Sequence, residues 1–299
     1  MSLDLDERHG AIGPPAASSA DAPGTVSRVG RDGLLSLGFT RVGERTVLAR
    51  SRYALPLQVL APVALDDRAT IVSMLNPTGG VLGGDRLHVD IDAGHAAHAV
   101  LTTPSATKVY RTAGDPACQE VRIRLAPGAI VEWVPDHTIP FPGSAFRQCI
   151  DVDVADAAAL VLVDAFAAGR VTRGEAWQFA LLDSSLAIRD ERGWLVRDRF
   201  TLRPSDGVSW GATGLAERCP YFATIVVIAD AGVEPFIAAV GRMASRGKAQ
   251  IGAALLPRRG GVVRVLAPTA PALTSTLDEV WRTARNHVLH APALALRKP

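Results

Sequence analysis

The sequence predicts a mostly β protein with two α-helices gathered in its last quarter. Short runs alternate apolar and polar residues with the period of two that a half-buried strand imposes. Turn signals built from Gly, Pro, Asn and Asp interrupt those runs at close intervals. Near the end of the chain the apolar spacing changes to that of a helix face.

The strand signals follow in chain order. Ala69 to Leu75 is largely apolar and suits a strand covered on both faces. In Leu87-His88-Val89-Asp90-Ile91-Asp92 the aliphatic side chains share one face, and Val121 to Leu125 and Ile150 to Val154 repeat the pattern. Leu160 to Val163 reads as another covered strand, and Trp177, Phe179 and Leu181 continue the alternation. Asn76-Pro77, Ala126-Pro127-Gly128, Phe141-Pro142-Gly143 and Arg192-Gly193 mark turns between them. Pro235 opens a helix that carries Phe236, Ile237, Val240 and Met243 on one face, and Gly247 closes it. Thr269 caps a second helix, with Leu273, Leu277, Val280, Trp281, Ala284 and Val288 at helical spacing. Strands at Thr224 to Ile228, Gly252 to Leu256 and Gly261 to Leu266 accompany the first helix. The resulting organisation is a disordered tail over 1–30, a β-rich body over 31–222, and an α+β region over 223–299 packed on the body. No repeat of fixed period is visible, which weighs against a propeller or a regular solenoid.

Composition narrows the functional classes. The 299 residues include 48% hydrophobic and 21% charged ones, enough for a substantial core. Lys and Arg total 32 against 30 for Asp and Glu, with no dominant basic block, so nucleic acid is not an expected partner. Cys118, Cys149 and Cys219 lie far apart with no CxxC spacing, which predicts reduced, buried thiols. The N-terminus carries acids where a secretory signal needs bases and an apolar run. Ala223 to Ala229 is too short to cross a bilayer. A cytoplasmic protein with no membrane partner is expected.

Several segments invite a chemical reading. Asn76-Pro77-Thr78-Gly79-Gly80-Val81-Leu82-Gly83-Gly84-Asp85 has the glycines of a phosphate-binding loop. It lacks the following Lys-Ser or Lys-Thr, and a strand rather than a helix comes next, so it reads as a tight connection between strands. Ser105 and Lys108 could form a nucleophile pair, but no oxyanion hole or orienting base accompanies them, and a polar loop is the better account. Asp136 and His137 stand adjacent in a proline-framed loop, where neighbouring side chains diverge. His95 and His98 have metal-like spacing without the cysteine or acid that would complete a tetrahedral set. Gly169-Arg170-Val171-Thr172-Arg173-Gly174-Glu175 reads as a charged turn in which Glu175 pairs with an arginine.

Taken in order, a wider set of segments resembles the urease accessory protein UreD family. It comprises Leu75 to Asp85, Thr102-Thr103 through Lys108-Val109-Tyr110-Arg111, and Glu132-Trp133-Val134-Pro135-Asp136 with Ile139-Pro140-Phe141. Gly169-Arg170 with Arg173-Gly174-Glu175, Val263 to Leu266 before the Trp281 helix, and Arg297-Lys298-Pro299 complete it. The resemblance spans Gly33 to Pro299. It implies stacked multi-stranded β-sheets, a β-helix-like body, with two α-helices in the C-terminal part. It also implies a non-enzymatic scaffold that binds apo-urease and UreF and, through UreF, the GTPase UreG. Nickel would pass through it in transit, with no permanently bound cofactor. Under that reading Asp85, Asp136 and Glu175 are candidates for the nickel path, since oxygen ligands hold nickel less tenaciously than a cysteine and histidine cage. The competing expectation is a β-rich hydrolase using Asp136, His137 and Glu175.

Overall fold

The computed structural model describes residues 31–65, 68–207, 212, 214, 216–243 and 249–296. The expected tail over 1–30, the helix stop at Gly247 and the terminal Arg297-Lys298-Pro299 lie outside the described residues.

Two sheets face each other across an apolar layer. The first has seven strands, and its central members Asp32–Val42, Arg86–Ala93, Ala117–Leu125, Ala145–Val154 and Leu181–Asp190 pair in parallel. The second has eleven strands among the described residues, and its core pairs Thr70–Leu75, His98–Thr102, Ile130–Val134 and Ala159–Ala167 in parallel. The chain alternates between the sheets, so each circuit adds one rung to both and produces a β-solenoid. The connecting segments differ in length, which hides any fixed period in the sequence.

Register explains the core. Leu35, Val89, Val121, Ile150 and Leu186 stand opposite one another across five strands, and all are buried. The alternate positions face outward and bear charge: Arg50 and Arg124 both bind Asp92, and Arg189 binds Asp153. A one-residue slip in any strand would exchange these two faces, so the apolar layer fixes the pairing.

The C-terminal region extends the second sheet. Tyr221–Ile228 pairs antiparallel with Ala159–Ala167, followed outward by Gly260–Ala267 and Gln250–Leu255. Helix α1 (Val233–Met243) and helix α2 (Ala270–His287) cover the outer face of this sheet. Thr269 caps α2 as the spacing predicts, its side chain accepting the Ala272 N–H at 3.3 Å. α1 begins at Val233, two residues before the proline expected to open it.

Two expectations change, and two strands stand where none was expected. The strands Asp32–Val42 and Arg45–Ala54 were not read from the sequence, although Leu35, Leu37 and Phe39 alternate. Trp177, Phe179 and Leu181 do not share a strand: Trp177 has φ 62° and its N–H donates to the Ala168 carbonyl at 2.7 Å, which turns the chain before Leu181–Asp190 begins. Of the three free cysteines only Cys219 is buried, while Cys118 and Cys149 are half-buried on neighbouring strands of the first sheet.

Candidate functional site: an internal cavity walled by the turn motifs

The segments singled out above occupy equivalent turns of successive circuits, so they stack. Val81 bridges Val109 in parallel, and Thr107–Val109 pairs in parallel with Thr138–Pro140. The glycine-rich segment does connect two strands, Thr70–Leu75 and Arg86–Ala93. Asn76 shapes it: its side-chain amide donates to the Gly80 carbonyl at 2.9 Å and its Oδ1 accepts the Thr78 N–H at 3.0 Å. Gly80 is required by space, because a Cβ there would lie 2.5 Å from Tyr110 Cε2 and 2.7 Å from the Lys108 carbonyl oxygen.

Behind these turns, between the sheets, lies a cavity of about 270 Å³. Its wall includes Asn76, Gly80, Ser105, Lys108, Trp133 and Asp136 on the turn side, and Gln119, Gln148 and Asp164 deeper in. Asp136 is held at the rim by its N–H, which donates to Thr103 Oγ1 at 2.8 Å. Asp164 projects inward from the second sheet, between the apolar Leu162 and Phe166 on the same face of its strand. Its Oδ1 accepts from Gln148 Nε2 at 2.8 Å and its Oδ2 from Ser184 Oγ at 3.2 Å, both donors coming from the first sheet. The residue keeps intermediate exposure, yet protein encloses its carboxylate. Desolvation pushes its pKa up to about 6 against the opposing hydrogen bonds from Gln148 and Ser184. Asp164 also lines a second cavity of about 230 Å³, together with Phe166, Trp177, Phe200, Phe222, Thr224 and Arg264 among others.

The sequence candidates occupy three different environments. Asp136 lines the cavity. Asp85 is buried at the end of the glycine-rich turn and is not among the residues that line the cavity. Its Oδ2 accepts the Leu82 N–H at 2.8 Å, whereas its Oδ1 is buried without a hydrogen-bond partner among the described residues. Burial raises its pKa, opposed by that N–H and by the charge of Arg31. Glu175 is gripped by Arg170, which donates from Nε to Oε2 and from Nη2 to Oε1, the latter at 2.9 Å, while the same guanidinium lies 4.4 Å over the Phe141 ring. The His137 ring meets Tyr221 edge-on, with centroids 6.0 Å apart.

His98 has the acidic partner that its sequence neighbourhood lacked. Its Nε2 is 2.6 Å from Glu132 Oε1, in a buried hub that also receives Trp281 and Arg285 from α2. His95, by contrast, is exposed. Among the described residues no group of three or more His, Cys, Asp or Glu side chains is arranged to hold a metal ion. Sequence reasoning passed over Asp164, Gln148 and Glu132. The usable signal for Asp164 was a lone acid ending the apolar run Leu160 to Val163.

Fold and site together define a β-solenoid protein with an internal, acid-bearing cavity and a two-helix cover on one face. The chain belongs to the UreD urease accessory protein family, whose model matches residues 31–299. It is 34% identical over 278 residues to the urease accessory protein UreD of Alkalilimnicola ehrlichii, covering 93% of this chain and 94% of that one. The protein of the same name from Haloarcula marismortui is 32% identical over 285 residues, covering 94% and 95%. That from Deinococcus radiodurans is 34% identical over 282 residues, covering 92% and 98%. The role of the chain is accordingly that of a urease accessory protein.

Proposed function

We propose that this protein is a non-enzymatic scaffold of cytoplasmic urease maturation. It binds apo-urease, recruits UreF and through it the GTPase UreG, and conducts nickel toward the urease active site. The observation that carries the nickel part of this reading is the cavity between the sheets, whose wall includes the carboxylates of Asp136 and Asp164. Carboxylate oxygens are modest ligands for nickel, and a conduit needs sites weak enough to release their ion. The unpartnered Oδ1 of Asp85 supports a place for that residue on the path. Glu175 can join it only by giving up Arg170, which makes it an exchangeable ligand at most.

A hydrolase reading needs Asp136, His137 and Glu175 to converge on one substrate. Asp136 alone of the three is a cavity wall, with His137 against Tyr221 and Glu175 on Arg170, which favours the scaffold. No helix among the described residues is long and apolar enough to cross a membrane.

Co-purification with urease subunits and the companion accessory proteins tests the scaffold, and failure to associate with either urease or the UreF-type partner would end it. GTP turnover by the pure chain would also count against it. For the route, Asp136→Asn, Glu175→Gln and the double variant are assembled with the partners, and urease nickel is measured. Normal assembly with reduced nickel is expected; full loading in all three would remove the conduit while leaving the scaffold.

A further inference from the structure

We propose that the first rung of the solenoid is a docking surface for a protein partner whose contact face is apolar at its centre and acidic at its rim. The inference rests on the scaffold reading and adds the surface by which one partner is held. Both sheets end at this rung. Arg45–Ala54 is the last strand of the first sheet, and Gln58–Val59 and Val63–Ala64 pair with Thr70–Leu75 at the end of the second.

The segment that builds the rung is unusually apolar on its outside. Of the nine exposed large hydrophobic side chains among the described residues, Val47, Tyr53, Leu55, Leu60 and Val63 fall within it, between 39% and 57% exposed. A concentration of this kind, unlike scattered surface leucines, marks a contact site. The taper of the solenoid produces it. Tyr53 stands opposite the fully buried Leu35 and so holds a core-side position. The strands Gln58–Val59 and Val63–Ala64 that meet its strand are only two residues long, and the ring stays half exposed. Leu57 turns into the core, whereas Leu55 and Leu60 on either side of it face solvent. Backbone hydrogen bonds fix this arrangement: the Leu57 N–H donates to the Ala54 carbonyl at 3.1 Å and the Leu60 N–H to the Ser73 carbonyl at 2.9 Å.

Charge selects the partner. From Arg45 to Leu65 the sequence holds three arginines and no acid. Arg50 binds Asp92, but Arg45 and Arg52 are exposed and make no ion pair among the described residues. A second copy would set the same arginines against one another across a two-fold interface. An acidic rim on a different protein compensates them, speeds encounter and fixes orientation. Contact is through side chains, with the apolar group as its centre and the arginines as its rim.

The test measures the affinity of the full chain for urease subunits and for each companion accessory protein. Leu55→Ser with Leu60→Ser removes exposed apolar groups, and Arg52→Glu reverses a charge. Affinity for one partner should fall about tenfold or more in each variant. Arg52→Lys should retain it, and the loss in Arg52→Glu should shrink at high salt. Thermal melts check the fold; should the leucine variant melt early, Arg52→Glu decides alone. Unchanged affinity for every partner overturns the surface and leaves the scaffold, whereas an unaltered chain that binds no partner removes the scaffold as well. A loss confined to a well-folded leucine variant overturns the acidic rim. If the variants keep every partner but lose self-association, or lose binding to vesicles of anionic phospholipid, a second copy or a lipid surface is the occupant and the proposal falls.

Discussion

Trp281 of α2 donates its indole N–H to Glu132 Oε2 at 2.6 Å, joining the last helix to a central strand of the second sheet. Glu132 is fully buried and also binds His98 and Arg285, and Arg285 in turn donates from Nε to the Pro292 carbonyl at 2.7 Å. One carboxylate thus ties the sheet, α2 and the segment after it. Glu132→Ala breaks the buried ion pair with Arg285 and should cost about 3–5 kcal/mol. Trp281→Phe removes one hydrogen bond to a charged acceptor and should cost about 1.5–3 kcal/mol. Urea unfolding of both variants checks the order; equal losses would mean that the indole, not the ion pair, holds the helix.

Two glycines should respond in opposite directions. Gly80→Ala drives a methyl group into Tyr110 and the Lys108 carbonyl and should lose about 1–3 kcal/mol. Gly241 lies exposed in α1 with open space where its Cβ would stand, so Gly241→Ala should gain about 0.5–1 kcal/mol. Thermal melts of the two variants make the comparison, and a stabilised Gly80→Ala would mean that the turn relaxes away from Tyr110.

Asp164 predicts a pH dependence. Its pKa is raised by burial from 3.8 to about 6, so between those values the folded protein keeps a proton that the unfolded chain has released. Stability linked to this group is therefore greatest below pH 4, falls as pH rises toward 6, and stays reduced above it. The full shift corresponds to roughly 2–3 kcal/mol. Asp164→Asn should abolish this component, visible as a flatter unfolding free energy between pH 4 and 6. An unchanged slope would place the titration elsewhere.

The outward ladder on the first sheet should matter little for stability. Asp92 binds Arg50 and Arg124 on a solvent-facing surface. Asp92→Asn should cost about 1 kcal/mol or less, and the loss should shrink in 1 M salt, where screening acts over about 3 Å. A large, salt-insensitive loss in chemical denaturation would contradict that.

The fold was legible where local pattern and burial agree. The alternations at Leu87 to Asp92, Val121 to Leu125 and Ile150 to Val154 all lie within observed strands, and the cap at Thr269 was visible as a residue type in the right place. Trp177 misled because alternation records which side chains turn inward, and a bend at positive φ can do that as well as a strand. Parallel stacking was not legible, since Leu35 and Val89 meet through register set by the whole apolar layer. The site divides the same way. Asp136 stood out in a loop, whereas Asp164 gained its meaning from Gln148 and Ser184, which approach it from the opposite sheet.

A parallel stack of rungs has no natural end, since each terminal strand offers its backbone to a further rung, as in a fibre. Here Arg45–Ala54 and Gly193–Leu202 close the first sheet by running antiparallel to their neighbours. Arg45, Arg50 and Arg52 populate one closing strand, and Arg197 and Arg199 the other. A charged strand that runs against its neighbours is a poor template for a further parallel rung, so the edges that complete each protein also disfavour growth onto its copies.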